Sequence, residues 1–132
     1  CRVLIRSIRI VTCNIRIIFM QSKATQRQRR HKRIRAKISG DASRPRLSVF
    51  RSNRFISAQL INDELGMTLA SAFSREVSGA SALERARAVG AFIARRGKER
   101  GVTAAIFDRG GYRYAGAIKA LAEGARENGL QF

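Results

Sequence analysis

The sequence predicts a mixed α/β fold of the α+β type, with a three-stranded antiparallel meander, then helix, strand and helix, behind a basic N-terminal arm. Three short segments between residues 47 and 73 are separated by tight turns, as in a meander. Two later segments repeat apolar residues at helical spacing, on either side of a short apolar run. A right-handed crossover places the fourth strand parallel to a neighbour, giving a mixed four-stranded sheet with two helices.

The three meander strands are predicted at residues 47–51, 55–61 and 67–73. The first alternates in polarity except at Phe50, and Pro45 biases Arg44 towards extended backbone. The folded body is therefore expected to begin at residue 44. One face of the second strand carries aliphatic side chains: Ile56, Ala58 and Leu60. The links at 52–54 and 62–66 are short and polar, which implies antiparallel neighbours.

The first body helix is predicted to begin at a capping box, in which Ser81 and Glu84 each satisfy a backbone N–H near the helix start. Its apolar stripe contains Leu83, Ala86, Val89, Gly90 and Ile93. Two of these residues, Ala86 and Gly90, are small, and we expect them to bring the helix close to the sheet. The helix is predicted to end between residues 97 and 101.

The fourth strand is predicted at residues 102–107, where an apolar run lacks alternation. Such a run is typical of a central strand that is covered on both faces. The last helix is predicted to carry Ile118, Leu121, Ala122 and Ala125 on its buried stripe. Gly129 is a suitable terminator for that helix. Leu130 and Phe132 are expected to fold back onto the apolar surface.

The chain is short and strongly basic, which indicates one domain with an anionic partner. It has 132 residues and a formal net charge of +18, of which residues 1–46 contribute +13. This asymmetry is typical of a nucleic-acid-binding arm on a folded body. We predict three regions: an extension of doubtful nativeness (1–19), a basic RNA-binding arm (20–43) and a globular α/β body (44–132).

Residues 1–19 are rich in isoleucine, valine and arginine and contain both cysteines of the chain. Four arginines interrupt the apolar run too often for a transmembrane span. Three interpretations remain open: a non-native or untranslated extension ahead of Met20, an organelle-targeting presequence, or a genuine strand-like extension. We favour the first of them.

The arm is dense in lysine and arginine, and like charges at helical neighbour spacing repel one another. We predict that the arm is disordered alone and becomes helical when phosphates neutralise it. The alternative is a solvated tail that only aids solubility. The single histidine, His31, has no ligand partners at metal-binding spacing and is expected to be exposed near phosphate. The candidate RNA-binding residues of this region are Lys23, Arg27, Arg29, Arg30, Lys32, Arg33, Arg35, Lys37 and Arg44.

A second candidate contact is the glycine-rich turn at residues 107–116, between the fourth strand and the last helix. Arginine binds phosphate or guanine edges and tyrosine offers a flat face for a base, although the segment could also be a plain connector. The candidates here are Arg109, Tyr112, Arg113 and Tyr114. A third group of candidates is predicted at one end of the first hairpin: Arg46, Arg51, Asn53 and Arg54.

Several motifs in register resemble one family, the 5S-rRNA-binding ribosomal L18 family of the bacterial large subunit. They are the segments RPRLSVFRSN (44–53), TLASA (68–72), FDRGGYRY (107–114), KALA (119–122) and GLQF (129–132). The resemblance covers about residues 20–132. It implies docking on 5S rRNA in the central protuberance of a cytoplasmic ribosome, with further contacts to large-subunit rRNA and neighbouring ribosomal proteins.

This chain departs from the family pattern at three positions. The family commonly has histidine and tyrosine in the second strand, where this chain has Phe55 and Ser57. It also commonly has histidine where this chain has Ala115. Rings at these positions could stack or hydrogen-bond with RNA, so the local contacts are expected to differ here.

The functional prediction is a structural RNA-binding protein and not an enzyme, with no cofactor, no metal site, no small-molecule substrate and no membrane partner. One alternative is an organelle-targeted version of the same protein. The other is a metal-dependent nucleic-acid enzyme, which needs carboxylates converging on a cation. Its candidate acids are Asp63, Glu64 and Asp108. Asp108 is expected instead to form an ion pair or to cap the turn.

Overall fold

The computed structural model describes residues 22–132 and contains a four-stranded sheet with three helices. In chain order the elements are α1 (Lys23–Lys37), β1 (Arg46–Arg51), β2 (Ile56–Asn62), β3 (Met67–Phe73), α2 (Ala82–Glu99), β4 (Ile106–Asp108) and α3 (Ala117–Glu127). The extension at residues 1–19 and the first two residues of the arm lie outside the described part. The third helix, α1, belongs to the arm, and the body has the two helices predicted.

The sheet is mixed, as predicted, with the strand order β3-β2-β1-β4. β1 pairs antiparallel with β2, β2 pairs antiparallel with β3, and β4 runs parallel to β1. Side chains alternate between the two faces of each strand. Leu47 and Val49 therefore point into the core, whereas Arg46, Ser48 and Phe50 lie on the other face.

The hydrophobic core lies between the sheet and the pair of helices α2 and α3. α2 packs on β2 and β3, and α3 packs along α2. The two helices approach so closely that a Cβ built on Gly90 would lie 2.1 Å from the carbonyl oxygen of Leu121. On α3, a Cβ at Gly124 would lie 2.3 Å from the carbonyl oxygen of Arg87. The helix crossing therefore depends on two glycines.

Several local predictions are confirmed. The β3 bounds agree with the sequence prediction, and Ile56, Ala58 and Leu60 are buried on one face of β2. The capping box of Ser81 and Glu84 begins α2, with both reciprocal bonds formed. In the C-terminal segment, the ring of Phe132 stacks on that of Phe107 with centroids 5.2 Å apart.

Three predictions about the body were wrong. β4 is a three-residue edge strand and not a central one, and its outer side is partly covered where Ala105 donates to the carbonyl of Gln131. Leu83 lies on the same side of α2 as Ala86 and Gly90 but is exposed, because it is in the first turn, ahead of the first buried residue of the helix. Gly90 faces α3 and not the sheet, so its missing side chain serves helix–helix packing.

Candidate nucleic-acid interface

The arm forms a helix that packs on the glycine-rich turn after β4. Ser22 caps α1 by accepting from the backbone N–H of Thr25, and the basic last turn favourably meets the negative end of the helix dipole. The arm is helical here, and both the expected disorder of the free arm and the dependence of its helix on phosphate stay predictions. Arg27 donates to the carbonyl of Gly110 at 3.2 Å, and Arg30 donates to that of Gly111 at 3.0 Å. These bonds attach α1 to the body.

Gly111 is the closest point of this contact. Its φ is +78°, and a Cβ there would lie 2.7 Å from the carbonyl oxygen of Arg27 and 3.2 Å from the backbone nitrogen of His31. The left-handed backbone favours glycine, and the packed helix leaves no room for a side chain. The glycine at position 111 therefore allows the close approach of α1 to the turn.

We expect Gly111→Ala to release α1 from the turn and to lower stability by about 1–3 kcal/mol through backbone strain and lost contacts. Hydrogen exchange should show faster exchange at α1 amides than in the unmodified protein. The matched control is Gly66→Ala, since Gly66 has a φ of +65° but has nothing within 4 Å of a built Cβ. Equal protection of α1 in both variants would contradict the close-packing explanation.

Arg46 lies at the centre of a buried charge cluster beneath α1. Its guanidinium forms two bonds with Asp63, at 2.9 and 3.0 Å, and one with Asp108 at 3.0 Å. Asp108 is fully buried and also accepts from the N–H of Gly110, so it forms the ion pair and caps the turn as expected. His31 completes the cluster, with its Nε2 3.7 Å from Asp108 Oδ2.

The cluster shifts the pKa values of Asp63 and Arg46 in opposite directions. The hydrogen bond from Arg46 is the main cause that holds the pKa of Asp63 well below its usual range, with further donation from the N–H of Gly40. The same bond raises the pKa of Arg46. Arg35 also bonds to Asp63, at 3.3 Å, which connects the C-terminal part of α1 to the end of β2.

The cluster corrects two sequence predictions. Arg46 is 7% exposed and is neutralised by two carboxylates, so it does not offer a charge to RNA phosphate. It also lies at the opposite end of the β1–β2 hairpin from Arg51, because the register pairs Arg46 with Ile61. His31 is half-exposed and faces a carboxylate, where an exposed position near phosphate was expected.

The outward side of α1 carries a separate set of cations. At 100° per residue, Arg29, Lys32 and Arg33 lie on the side of α1 opposite Arg27 and His31, and Lys37 lies at the edge of that side. These residues are exposed, and with Lys23 near the helix start and Arg44 after the helix they form what we call the arm cations. The arm cations are Lys23, Arg29, Lys32, Arg33, Lys37 and Arg44.

The β1–β2 turn presents a second group of polar side chains. Ser52 holds the turn by exchanging hydrogen bonds with the backbone of Phe55. This leaves Arg51, Asn53 and Arg54 exposed at its tip. The Tyr112 hydroxyl donates to the carbonyl of Arg51 at 2.8 Å, so the turn adjoins the segment on which α1 packs.

The predicted residues of the glycine-rich turn divide into inward and outward pairs. Arg109 is half-buried and donates to the carbonyl of Tyr112. The Tyr112 ring lies under the guanidinium of Arg27 at 4.7 Å, so it packs within the protein. Arg113 and Tyr114 are exposed, and Tyr114 lies edge-on to Phe107.

Sequence reasoning missed an exposed aromatic group on the open face of the sheet. Phe50, Phe55 and Phe73 are 55%, 42% and 43% exposed. The interruption of alternation at Phe50 was the available signal, because it placed a large apolar residue at an outward position. Phe55 and Phe73 gave no such signal, since each lies at the end of a strand.

Within residues 22–132, no group of three side chains is placed to hold a metal ion. No helix of that same range has the length and apolar character needed to cross a membrane. A mixed α/β body with a packed cationic helix and exposed arginines at one edge defines a small, basic RNA-binding protein.

Comparison with known proteins identifies the family. The model of "Ribosomal L18 of archaea, bacteria, mitoch. and chloroplast" matches residues 21–132. The large ribosomal subunit protein uL18 of Limosilactobacillus reuteri is 61% identical over 108 residues, which cover 80% of this chain and 92% of the relative. The large ribosomal subunit protein uL18 of Lysinibacillus sphaericus is 56% identical over 119 residues, which cover 88% of this chain and 100% of the relative.

The chain belongs to the ribosomal L18 family. It is therefore a structural protein of the large ribosomal subunit, a ribonucleoprotein component of translation, and its place is the cytoplasmic ribosome as for its bacterial relatives. The resemblance noted in the sequence, which was expected to begin near residue 20, is confirmed.

Proposed function

We propose that this protein binds 5S rRNA and helps to attach it to large-subunit rRNA in the central protuberance. The observation that carries the proposal is the division of the arm into two sides. Arg27, Arg30 and Arg35 bond to the body, whereas Lys32 and Arg33 are exposed on the other side of α1. Cations held on a packed helix can neutralise phosphates of an RNA backbone and release their counterions.

The exposed tip of the β1–β2 turn continues this surface. Arg51, Asn53 and Arg54 can contact phosphates and unpaired bases, and Arg113 with Tyr114 adds a cation and a ring nearby. In this proposal Arg46, Arg109 and Tyr112 support the surface from within and are not contacts. Arg27, Arg30 and Arg35 hold α1 on the body. The other predicted residues keep their proposed role as RNA contacts.

A structural role is also favoured over metal-assisted cleavage. Such cleavage needs carboxylates that are open to a cation. Asp63 and Asp108 are instead bonded to Arg46, and Asp108 is fully buried. Two of the three acids that the enzyme alternative required therefore have a structural use, and the third, Glu64, is exposed by itself on the turn after β2.

The proposal predicts the outcome of a charge-removal experiment. The triple variant Lys32→Ala, Arg33→Ala, Lys37→Ala should weaken binding to a 5S rRNA transcript at least about tenfold near 0.15 M salt, and the slope of log affinity against log salt should fall by about 3. Filter binding across a salt series measures both quantities.

The matched control removes three exposed cations from the far end of α2: Arg95→Ala, Lys98→Ala, Arg100→Ala. It changes net charge equally, so it should alter affinity only slightly. Equal losses in both triple variants would show that total charge, and not the arm surface, governs binding. Failure of the unmodified chain to prefer 5S rRNA over an unrelated RNA of similar length would refute the proposed function itself.

A further inference from the structure

The open face of the sheet carries a groove that the proposed function does not use. It has a volume of about 510 Å³ and is lined mainly by Phe50, Phe55, Phe73 and the small Ser57. The register pairs Ser57 with Phe50 on one side and with Phe73 on the other. Since neighbouring strands are about 4.8 Å apart, the two phenylalanines stand roughly 10 Å apart with only a serine between them.

The rings of this groove have faces open to a ligand. Within residues 22–132, Phe73 has no ring partner, and Phe50 is contacted only edge-on by Tyr112, at 6.4 Å. The guanidinium of Arg75 already lies over the Phe55 ring at 4.3 Å. A flat, delocalised group therefore stacks on this surface within the protein itself, which shows that the ring face accepts such a group.

The charges around the groove favour an anionic polymer as the source of that group. Ser52 and Phe55 belong both to the groove and to the β1–β2 turn, so the groove opens at Arg51 and Arg54. Arg75 also lines the groove, beside Phe55. The one acid in the lining, Glu76, is paired with Arg96 at 3.2 Å.

We propose that this groove is a stacking site for an unpaired nucleobase of ribosomal RNA, held between Phe50, Phe55 and Phe73 while Arg51, Arg54 and Arg75 contact the flanking phosphates. The site deepens the proposed function, on which it rests. It adds a site for base stacking to the proposed RNA-binding surface of the arm cations and the β1–β2 turn. Base–aromatic stacking tolerates different bases, and purines offer the larger face.

The test uses the full chain with one fluorescent reporter. The protein contains no tryptophan, so Phe55→Trp places a single indole in the groove. Three probes are titrated: hexaadenylate, hexauridylate and an abasic hexamer with the same number of phosphates. We expect quenching by hexaadenylate, weaker quenching by hexauridylate and none by the abasic hexamer.

A second substitution in the reporter protein tests the groove itself. Adding Phe73→Ala should weaken hexaadenylate binding about tenfold, because one stacking face is lost. Adding Leu83→Ala should leave it unchanged, since Leu83 is 53% exposed, against 43% for Phe73, but lies on α2, outside the groove. Circular dichroism of each variant shows that the fold is retained.

The possible results separate this proposal from the proposed function. Quenching by the abasic hexamer equal to that by hexaadenylate, or no effect of Phe73→Ala, would overturn the base site even where 5S rRNA still binds. Quenching by hexaadenylate with no affinity for 5S rRNA would overturn the proposed function alone. A photoreactive phenylalanine analogue at position 73 that crosslinks to protein and not to RNA in assembled subunits would assign the groove to a neighbouring protein instead.

Discussion

Replacement of Arg46 by alanine is expected to lower the free energy of unfolding by about 3–5 kcal/mol, the usual range when one partner of a buried ion pair is removed. The substitution leaves Asp108, which is fully buried, without the guanidinium that neutralises it. It also breaks two bonds to Asp63, which joins β2 to the arm. Urea unfolding followed by circular dichroism at pH 7 measures the loss.

The control for this prediction is Arg44→Ala, two residues earlier. Arg44 is exposed, so its removal is expected to change stability by no more than about 0.5 kcal/mol. Similar losses for Arg44→Ala and Arg46→Ala would mean that the cluster contributes little to the fold.

The stability that the ion pair of Arg46 and Asp63 contributes should decrease as the pH falls. The pKa of Asp63 is lowered in the folded protein, chiefly by the hydrogen bond from Arg46. Its contribution to stability is therefore complete above the unfolded value of about 4 and is lost as the pH falls below it. We expect the stability difference between the unmodified protein and Arg46→Ala to shrink between pH 5 and pH 3. A difference that grows as the pH falls would contradict this assignment.

The second large effect is expected at the crossing of α2 and α3. Gly90→Val should lower the free energy of unfolding by about 3 kcal/mol, because the new Cβ meets the backbone of Leu121 and the helices must move apart. Backbone atoms at 2.1 Å cannot yield as a flexible side chain can. Thermal unfolding of the purified variant measures the effect.

A double-mutant cycle provides the control. Gly124→Val tests the same crossing from α3, where the built Cβ meets the backbone of Arg87. Once the helices have separated, the second substitution should cost less than it does alone, so the pair should be less than additive. Strict additivity would indicate that the two glycines act at independent contacts.

Local features of this fold were predictable from the sequence because neighbouring residues determine them. The capping box needs only Ser81 and Glu84, three residues apart, and both reciprocal bonds are present. β3 is bounded by turn residues on both sides, and its ends were predicted correctly. The basic arm could likewise be recognised from its charge density alone.

The functions of individual charged residues were not predictable, because their partners are distant in sequence. Arg46 lies 17 residues from Asp63 and 62 from Asp108, and an exposed arginine has the same local sequence as this buried one. The same holds for Gly111, whose neighbour in space is Arg27. β4 was misplaced for a related reason, since its outer side is covered by residue 131 and not by another strand.

The contact between α1 and its turn has a consequence for synthesis of the chain. Arg27 and Gly110 are separated by 83 residues, and the ribosome releases the N-terminal member of the pair first. Until residues 108–111 have emerged, the inward arginines have no carbonyl partners on the body, so the nascent arm presents its entire positive charge to surrounding polyanions. Once the body is complete, Arg27 and Arg30 bond to the carbonyls of Gly110 and Gly111 and are less available to other polyanions. Binding to nonspecific polyanions should consequently be stronger for nascent chains that stop before residue 108 than for the finished protein.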